Sequence, residues 1–433
     1  TGSLNVFIGA SAGKGGTTSA PYSSGGNNVA VGYQALTGFT TGGTNVAVGY
    51  QAGRVVTTAT NNTLVGPYAG YDLTTGTGNT LIGSEADGNN ETGGYNTIIG
   101  YQAATGAHGS SHDSTVAIGY RAAFSVTTGN GNVAIGQSAL QTITTGTRNV
   151  AVGTTAGYAG GVSGYNVYMG YEAGKRHIGG NVVHIGSEAG QNATGSNNTF
   201  IGYQAGKGGT TSAPYSSGTN NVAIGYQALT AFTSAGNNTA IGYESSKAIT
   251  IGSDNVSLGY RALYSEDVGS RAVAIGNYAL YTQNMTSDYT ITNIGIGYYA
   301  GYHNVTGTQN TWLGYQAGLG ASGQSNGNNV GMGYQVLSSI TTANENVALG
   351  SASSLNITAG SDNTSVGSTS LYRNQIGEDN VAVGYRAGYN VSASYNTFVG
   401  SNAGFGLNSS PYSSGTYNTA LGYQALTSFT TGY

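Results

Sequence analysis

The chain has 433 residues, of which 76 are glycine and only 6% are charged, with a formal net charge of −4 at pH 7. Glycine without a three-residue period excludes collagen, and so thin a charge excludes both a charge-rich disordered chain and a basic surface that could neutralise a nucleic-acid backbone. With no cysteine there is neither a disulfide framework nor a thiolate metal site.

The first predicted element is the short apolar stretch ending at Gly9, and the same phrase occurs 24 times in all, up to Gly422, usually 17 residues apart. Positions are counted from that glycine. At −3 stands Val, Ile or Thr in every copy, as in Val29, Thr63 and Ile294, and at −1 always an aliphatic or Met, as in Val31, Ile82 and Met332. Asn fills −4 except at Thr115, Val182 and Ala272, and Ala fills +3 except at Ser245, Val336, Ser353 and Ser370. Strand side chains alternate between faces, so a β-branched residue followed two later by an aliphatic one predicts a short strand. The phrase glycine then allows a turn, and the Gly, Asn and Thr that follow are turn chemistry.

Each copy therefore reads as one coil of an all-β, parallel β-solenoid (a β-roll) of about 24 coils. At about 4.8 Å per coil the coils would stack into an elongated rod on the order of 115 Å long. Asn at −4 is expected to form an amide ladder along the stack. Positions −3 and −1 are expected to face the interior, and −2 the outside. The −2 residents are apolar too (Ala30, Leu64, Phe200, Trp312), so a second copy of the chain is expected to cover them, giving a homotrimer or filament.

Longer connections punctuate the array. "PYSSGGNNVAVGYQALTGFT" at 21–40 recurs at 214–233 and 411–430, each time after an eleven-coil interval. One continuous repeat array, 1–433, is expected, a piece of a longer chain, with super-repeat blocks 9–201, 202–399 and 400–433 and a protruding loop at each block start.

The phrase "NVAIG" with Ala three later, at 132–139 and 221–228, resembles the head repeats of YadA-like trimeric autotransporter adhesins. "NTFIGYQAG" at 198–206 is similar to repeats in fibre proteins of marine and cyanobacterial phages. The resemblance implies a left-handed parallel β-roll with three chains side by side, in an extracellular, cell-surface or virion structure.

Chemistry is sparse. "HGSSHD" (His108, His112, Asp113) is the densest ligand-like cluster, read as a polar loop, and "KRHIGGNVVH" adds Lys175, Arg176, His177 and His184. Glu172 and Glu188, both at +2 in successive coils, would stack like charges, whereas Glu244 and Arg261 would form a surface pair of well under about 1 kcal/mol. No catalytic triad, phosphate loop or zinc spacing occurs, so no enzyme, metal or cofactor is expected. Nor is nucleic acid or membrane insertion of this segment expected, since no apolar run reaches about 18 residues. Tyrosine at +1 (Tyr33, Tyr50, Tyr226, Tyr243, Tyr260, Tyr298, Tyr315, Tyr334) would form stripes suited to sugar faces or a partner chain. Seven glycosylation sequons, at Asn90, Asn192, Asn284, Asn304, Asn356, Asn390 and Asn408, fall in connecting loops. The expected function is a structural fibre, and the alternative is a carbohydrate- or receptor-binding adhesin module using the tyrosine stripes and long loops.

Overall fold

The computed structural model describes residues 2–16, 23–287, 290–408 and 412–431. Every phrase becomes one three-residue strand. A first compact unit, Thr1–Thr219, holds β1 (Val6–Ile8) to β12 (Thr199–Ile201), and a second, Asn220–Tyr433, holds β13 (Val222–Ile224) to β24 (Thr419–Leu421). Within each unit each strand pairs in parallel with the next in sequence, column on column, as in Val29↔Val46, Ala30↔Ala47 and Val31↔Val48, or Thr239↔Val256 and Ile241↔Leu258. The all-β parallel solenoid is as the sequence predicts.

The phrase glycine owes its place to this stacking. Gly49 has φ +144°, and a Cβ on it would lie 2.5 Å from the carbonyl oxygen of Gly66 in the next coil. The Asn ladder forms as expected, inside the coils. Asn28 Oδ1 accepts from the Asn45 backbone N at 2.9 Å and from Asn45 Nδ2 at 3.1 Å, while Asn45 Nδ2 also donates to Ala59 O at 2.9 Å. Asn45 Oδ1 repeats the pattern with Asn62. These amides are buried, so the backbone of each corner is satisfied without water.

The face assignment is reversed. Position −2 is the interior: Ala30, Leu64, Tyr168, Phe200, Trp312 and Phe398 are fully buried, whereas −3 and −1 are half-buried or exposed. The alternation holds and its phase does not, because β-branching at −3 reflects strand propensity rather than burial. So narrow a coil admits one inward residue per strand, and −2 shares its volume with +4. Where −2 is Ala, +4 is often Leu (Ala30/Leu36, Ala134/Leu140, Ala223/Leu229, Ala274/Leu280), all buried. Where −2 is aromatic, +4 is Gly (Tyr168/Gly174, Phe200/Gly206, Trp312/Gly318, Phe398/Gly404), and a Cβ there would meet the ring at 2.2–2.4 Å. "NVAIGYQAL" and "NTFIGYQAG" are thus two solutions to one packing volume.

The inward column at +7 completes the core, with Val56, Leu73, Val126, Ile143, Phe232 and Ile340 buried. Polar residues there cap the following turn instead: Asn90 Oδ1 accepts from Gly93 N at 2.9 Å, Asn374 Oδ1 from Gly377 N at 2.7 Å, and Glu266 Oε1 from Gly269 N at 2.7 Å. Two of the serines that replace Ala at +3 find partners one coil on, Ser245 Oγ reaching Ser257 Oγ at 2.7 Å and Ser353 Oγ reaching Ser365 Oγ at 2.8 Å.

Candidate functional site

Three outward columns, +1, +2 and +5, follow the phrase glycine. The +2 residue adopts a left-handed backbone, φ 55° at Gln34 and 52° at Glu244. Because the coils are in register, each column stacks like over like about 4.8 Å apart.

The +1 tyrosines stack as expected: Tyr33 on Tyr50 at 5.4 Å, Tyr226 on Tyr243 at 4.9 Å, Tyr243 on Tyr260 at 5.1 Å, Tyr298 on Tyr315 at 5.5 Å and Tyr315 on Tyr334 at 5.2 Å, all within 17° of parallel. Rings stacked this way cover one another's faces and present edges and hydroxyls to solvent, which leaves little face for a sugar.

A second aromatic column, at +5, carries no clear sequence signal, because its tyrosines are interspersed with Thr, Lys and Gln along the chain. Tyr264, Tyr281 and Tyr302 stack at 5.1 and 5.0 Å, and Tyr372, Tyr389 and Phe405 at 5.0 and 5.3 Å. Only the register, which aligns +5 across coils of unequal length, brings them together.

Charges occupy the same columns. Glu172 and Glu188 do not face each other unpaired. Lys175 Nζ lies 2.6 Å from Glu172 Oε1, and Lys207 Nζ 2.5 Å from Glu188 Oε2. Gln191 donates to the other oxygen of Glu172, and Gln204 Nε2 donates at 2.9 Å to the same Oε2 of Glu188 that Lys207 engages. At Glu172, burial pushes the carboxyl upward, and Lys175 and Gln191 outweigh it; at Glu188 the Lys207 hydrogen bond leads; both end below the ordinary range. Glu244 and Arg261 pair as expected, Arg261 Nε to Oε2 at 2.7 Å, but the carboxylate also takes Lys247 Nζ at 2.5 Å and is only 6% exposed. The contact is therefore a nearly buried, doubly paired carboxylate rather than a solvated surface pair.

The "HGSSHD" side chains diverge. His108 lies at the surface with Nδ1 2.6 Å from Asp72 Oδ2, His112 is buried with Nε2 2.9 Å from Asp87 Oδ1, and Asp113 Oδ1 accepts from Gly94 N at 2.6 Å. Among the described residues no three His, Asp or Glu side chains gather as a metal site. His177 and His184 are both interior, with ring centroids 5.3 Å apart, and His184 stacks on Phe200 at 5.0 Å. Burial pushes His177 down to about 4 and His184 well below the ordinary histidine value.

Of the sequon asparagines, Asn90, Asn192, Asn304 and Asn390 are buried and engaged within the coils, so the folded chain offers no free amide there. Asn284 and Asn408 are exposed, and Asn356 is half-buried with Nδ2 donating to Tyr372 O at 2.8 Å.

The long connections fold back rather than simply protrude. Residues 211–214 are exposed, but Tyr215 returns to lie under Arg176, whose Cζ is 4.9 Å from the ring. In the third copy Arg373 lies 4.8 Å from the Tyr412 ring and donates to its hydroxyl, across the same separation of 39 residues. Ser216 and Ser413 then rejoin the stack, each backbone N donating at 3.1 Å, to Asn192 O and Asn390 O respectively. In the first copy Pro21 and Tyr22 lie outside the described residues, and Ser24 N donates to Thr40 O at 2.7 Å. No family model matches the chain, and no curated protein matches its sequence.

Proposed function

We propose that the chain is a non-catalytic structural segment of a self-associating fibre on a cell surface or virion, with further copies packed on the outward strand face as a homotrimer or filament. The observation that carries this reading is the −3/−1 face. Val48, Ile82, Ile135, Met169, Leu258 and Met332 are 36–44% exposed, and their columns run from coil to coil without polar interruption at −1. Isolated exposed aliphatics are ordinary; an unbroken column of them is an association surface. The resemblance of "NVAIG" to trimeric adhesin repeats supports the same reading, now with −3 and −1 in place of −2 as the contact. The ladder carboxylates Glu172, Glu188 and Glu244 are engaged by bases, in keeping with a non-catalytic role.

Sedimentation equilibrium tests it. The chain is expected at twice 43.4 kDa or a higher whole multiple. Val133→Lys with Ile135→Lys should reduce it to monomer with its far-ultraviolet spectrum intact, whereas Ala134→Lys between them should unfold it. A wild-type monomer at about 100 μM, where contacts of about −5.5 kcal/mol or better begin to show, would sink the proposal.

A further inference from the structure

The +5 column contains a missing rung. In four successive coils it reads Arg54, Tyr71, Gly88, Thr105. Arg54 covers one face of Tyr71, its Cζ 5.3 Å from the ring centroid, and donates to the Tyr71 hydroxyl. On the other side stands Gly88, which has no side chain to stack. The result is a notch of about 400 Å³ lined by Tyr68, Tyr71, Glu85, Gly88, Asn89 and Thr105.

The fold does not require a glycine there. Gly88 lies outside the left-handed region, and a Cβ on it would approach nothing closer than Glu85 O at 3.5 Å. Gly404 and Gly49, by contrast, would bring a Cβ to 2.2 and 2.5 Å from neighbouring atoms. What the glycine at 88 achieves is an open aromatic face. In the second unit the same column, occupied by Tyr264, Tyr281 and Tyr302, is closed upon itself.

The notch is also polar along one side. Glu85 Oε2 accepts from Gln102 Nε2 at 2.8 Å, so the carboxylate is held in place with Oε1 outside that bond. Asn89 Nδ2 donates to Gly106 O at 3.0 Å, leaving its carbonyl oxygen, and Thr105 Oγ1 donates to Glu85 O at 3.1 Å, leaving its lone pairs. Tyr68 stands edge-on to Tyr71 at 5.7 Å and closes the end. One aromatic face beside fixed acceptors suits a flat ring whose C–H bonds point to one side and whose hydroxyls point outward.

We propose that this notch binds one pyranose ring of a neutral glycan, its C–H face on Tyr71 and two of its hydroxyls donating to Glu85 and Asn89. In the ladder of Tyr264, Tyr281 and Tyr302 the middle ring, Tyr281, is stacked on both faces and is not expected to bind it.

The test uses the full chain and four methyl pyranosides, those of glucose, galactose, mannose and N-acetylglucosamine, followed by saturation-transfer NMR. At least one is expected to bind with a dissociation constant of order 1–10 mM, as a single ring with few contacts should. Gly88→Tyr, which completes the ladder, and Tyr71→Leu, which removes the platform, should each weaken that binding at least about tenfold with an unchanged unfolding midpoint; Tyr281→Leu should leave it unaltered. Transfer to none of the four at about 50 mM, or equal transfer to the Gly88→Tyr chain, overturns the proposal. So does binding of methylguanidinium in place of the pyranosides, which would make the notch a cation site.

Discussion

Phe398 and Gly404 occupy one volume: a Cβ on Gly404 would lie 2.2 Å from the Phe398 ring. Backbone conformation does not demand that glycine, since Leu371 and Leu263 hold the same +4 position at φ 44° and 51°. Gly404→Leu alone should overpack the coil at about 1–3 kcal/mol, and Phe398→Ala alone should empty it at about 3–5 kcal/mol. Together they recreate the Ala/Leu coil, so the double variant should be more stable than the sum predicts by more than about 1 kcal/mol. Urea unfolding of the four proteins checks this, and strict additivity would show that the two residues do not share a site.

His184 and His177 make the first unit acid-sensitive. Both are held neutral by burial, His177 down to about 4 and His184 further. Their folded pKa values lie below the unfolded one, so the unfolded chain binds more protons as pH falls. Stability is complete above about pH 6.5 and is lost as pH falls toward 4, by about 3 kcal/mol for His177 alone. His177→Val with His184→Phe follows the habits of columns +7 and −2, and Phe at 184 faces Gly190 as Phe200 faces Gly206. The double variant is expected to lose most of the drop in thermal midpoint between pH 7.5 and 4.5. An undiminished drop would place the acid sensitivity elsewhere.

The strands, their parallel register and the Asn ladder were legible because each rests on a column repeated in every coil or, for the Asn, in all but three. The strand phase was not, because −3, −2 and −1 are all mostly apolar and hydrophobicity alone cannot orient a three-residue strand. The volume exchange between −2 and +4 that settles it spans a turn and shows only when bulky residues such as Trp312 are matched with Gly318. The open face of Tyr71 was hidden for another reason: among 76 glycines, one more at 88 carries no signal until its Cβ is seen to be free of collision.

Asn45 ties three coils together. Its Nδ2 donates to Asn28 Oδ1 at 3.1 Å and Ala59 O at 2.9 Å, and its Oδ1 accepts from Asn62 N at 3.1 Å and Asn62 Nδ2 at 3.0 Å. Asn45→Ala leaves these buried partners short of bonds, at a cost of about 2–4 kcal/mol. The column's natural exceptions show that the backbone half of the bond survives: Val182 N still donates to Asn166 Oδ1 at 3.1 Å. Hydrogen exchange should therefore accelerate most at Asn62 N, which loses its acceptor, and less at Asn45 N, which keeps Asn28 Oδ1. Equal acceleration at both would mean that the coil opens as a whole.

Glu266 has the opposite pH signature, in the second unit. Its Oε1 accepts from Gly269 N at 2.7 Å, Val268 N at 3.2 Å and Met285 N at 3.2 Å, while Oε2 is buried without a partner. Burial raises its pKa, and the backbone donors oppose this only in part. The folded value lies above the unfolded one, so this group's contribution is fully present below about pH 4.5 and is lost as pH rises through the folded value. Gln is already accepted in the same column, where Gln283 is buried one coil on. Glu266→Gln keeps an acceptor for the three amides and removes the charge. Its thermal midpoint should exceed that of the wild-type chain by about 2–4 °C at pH 7.5, equivalent to roughly 1 kcal/mol, and match it near pH 4. A gain of the same size at both values would assign the effect to packing rather than to ionisation.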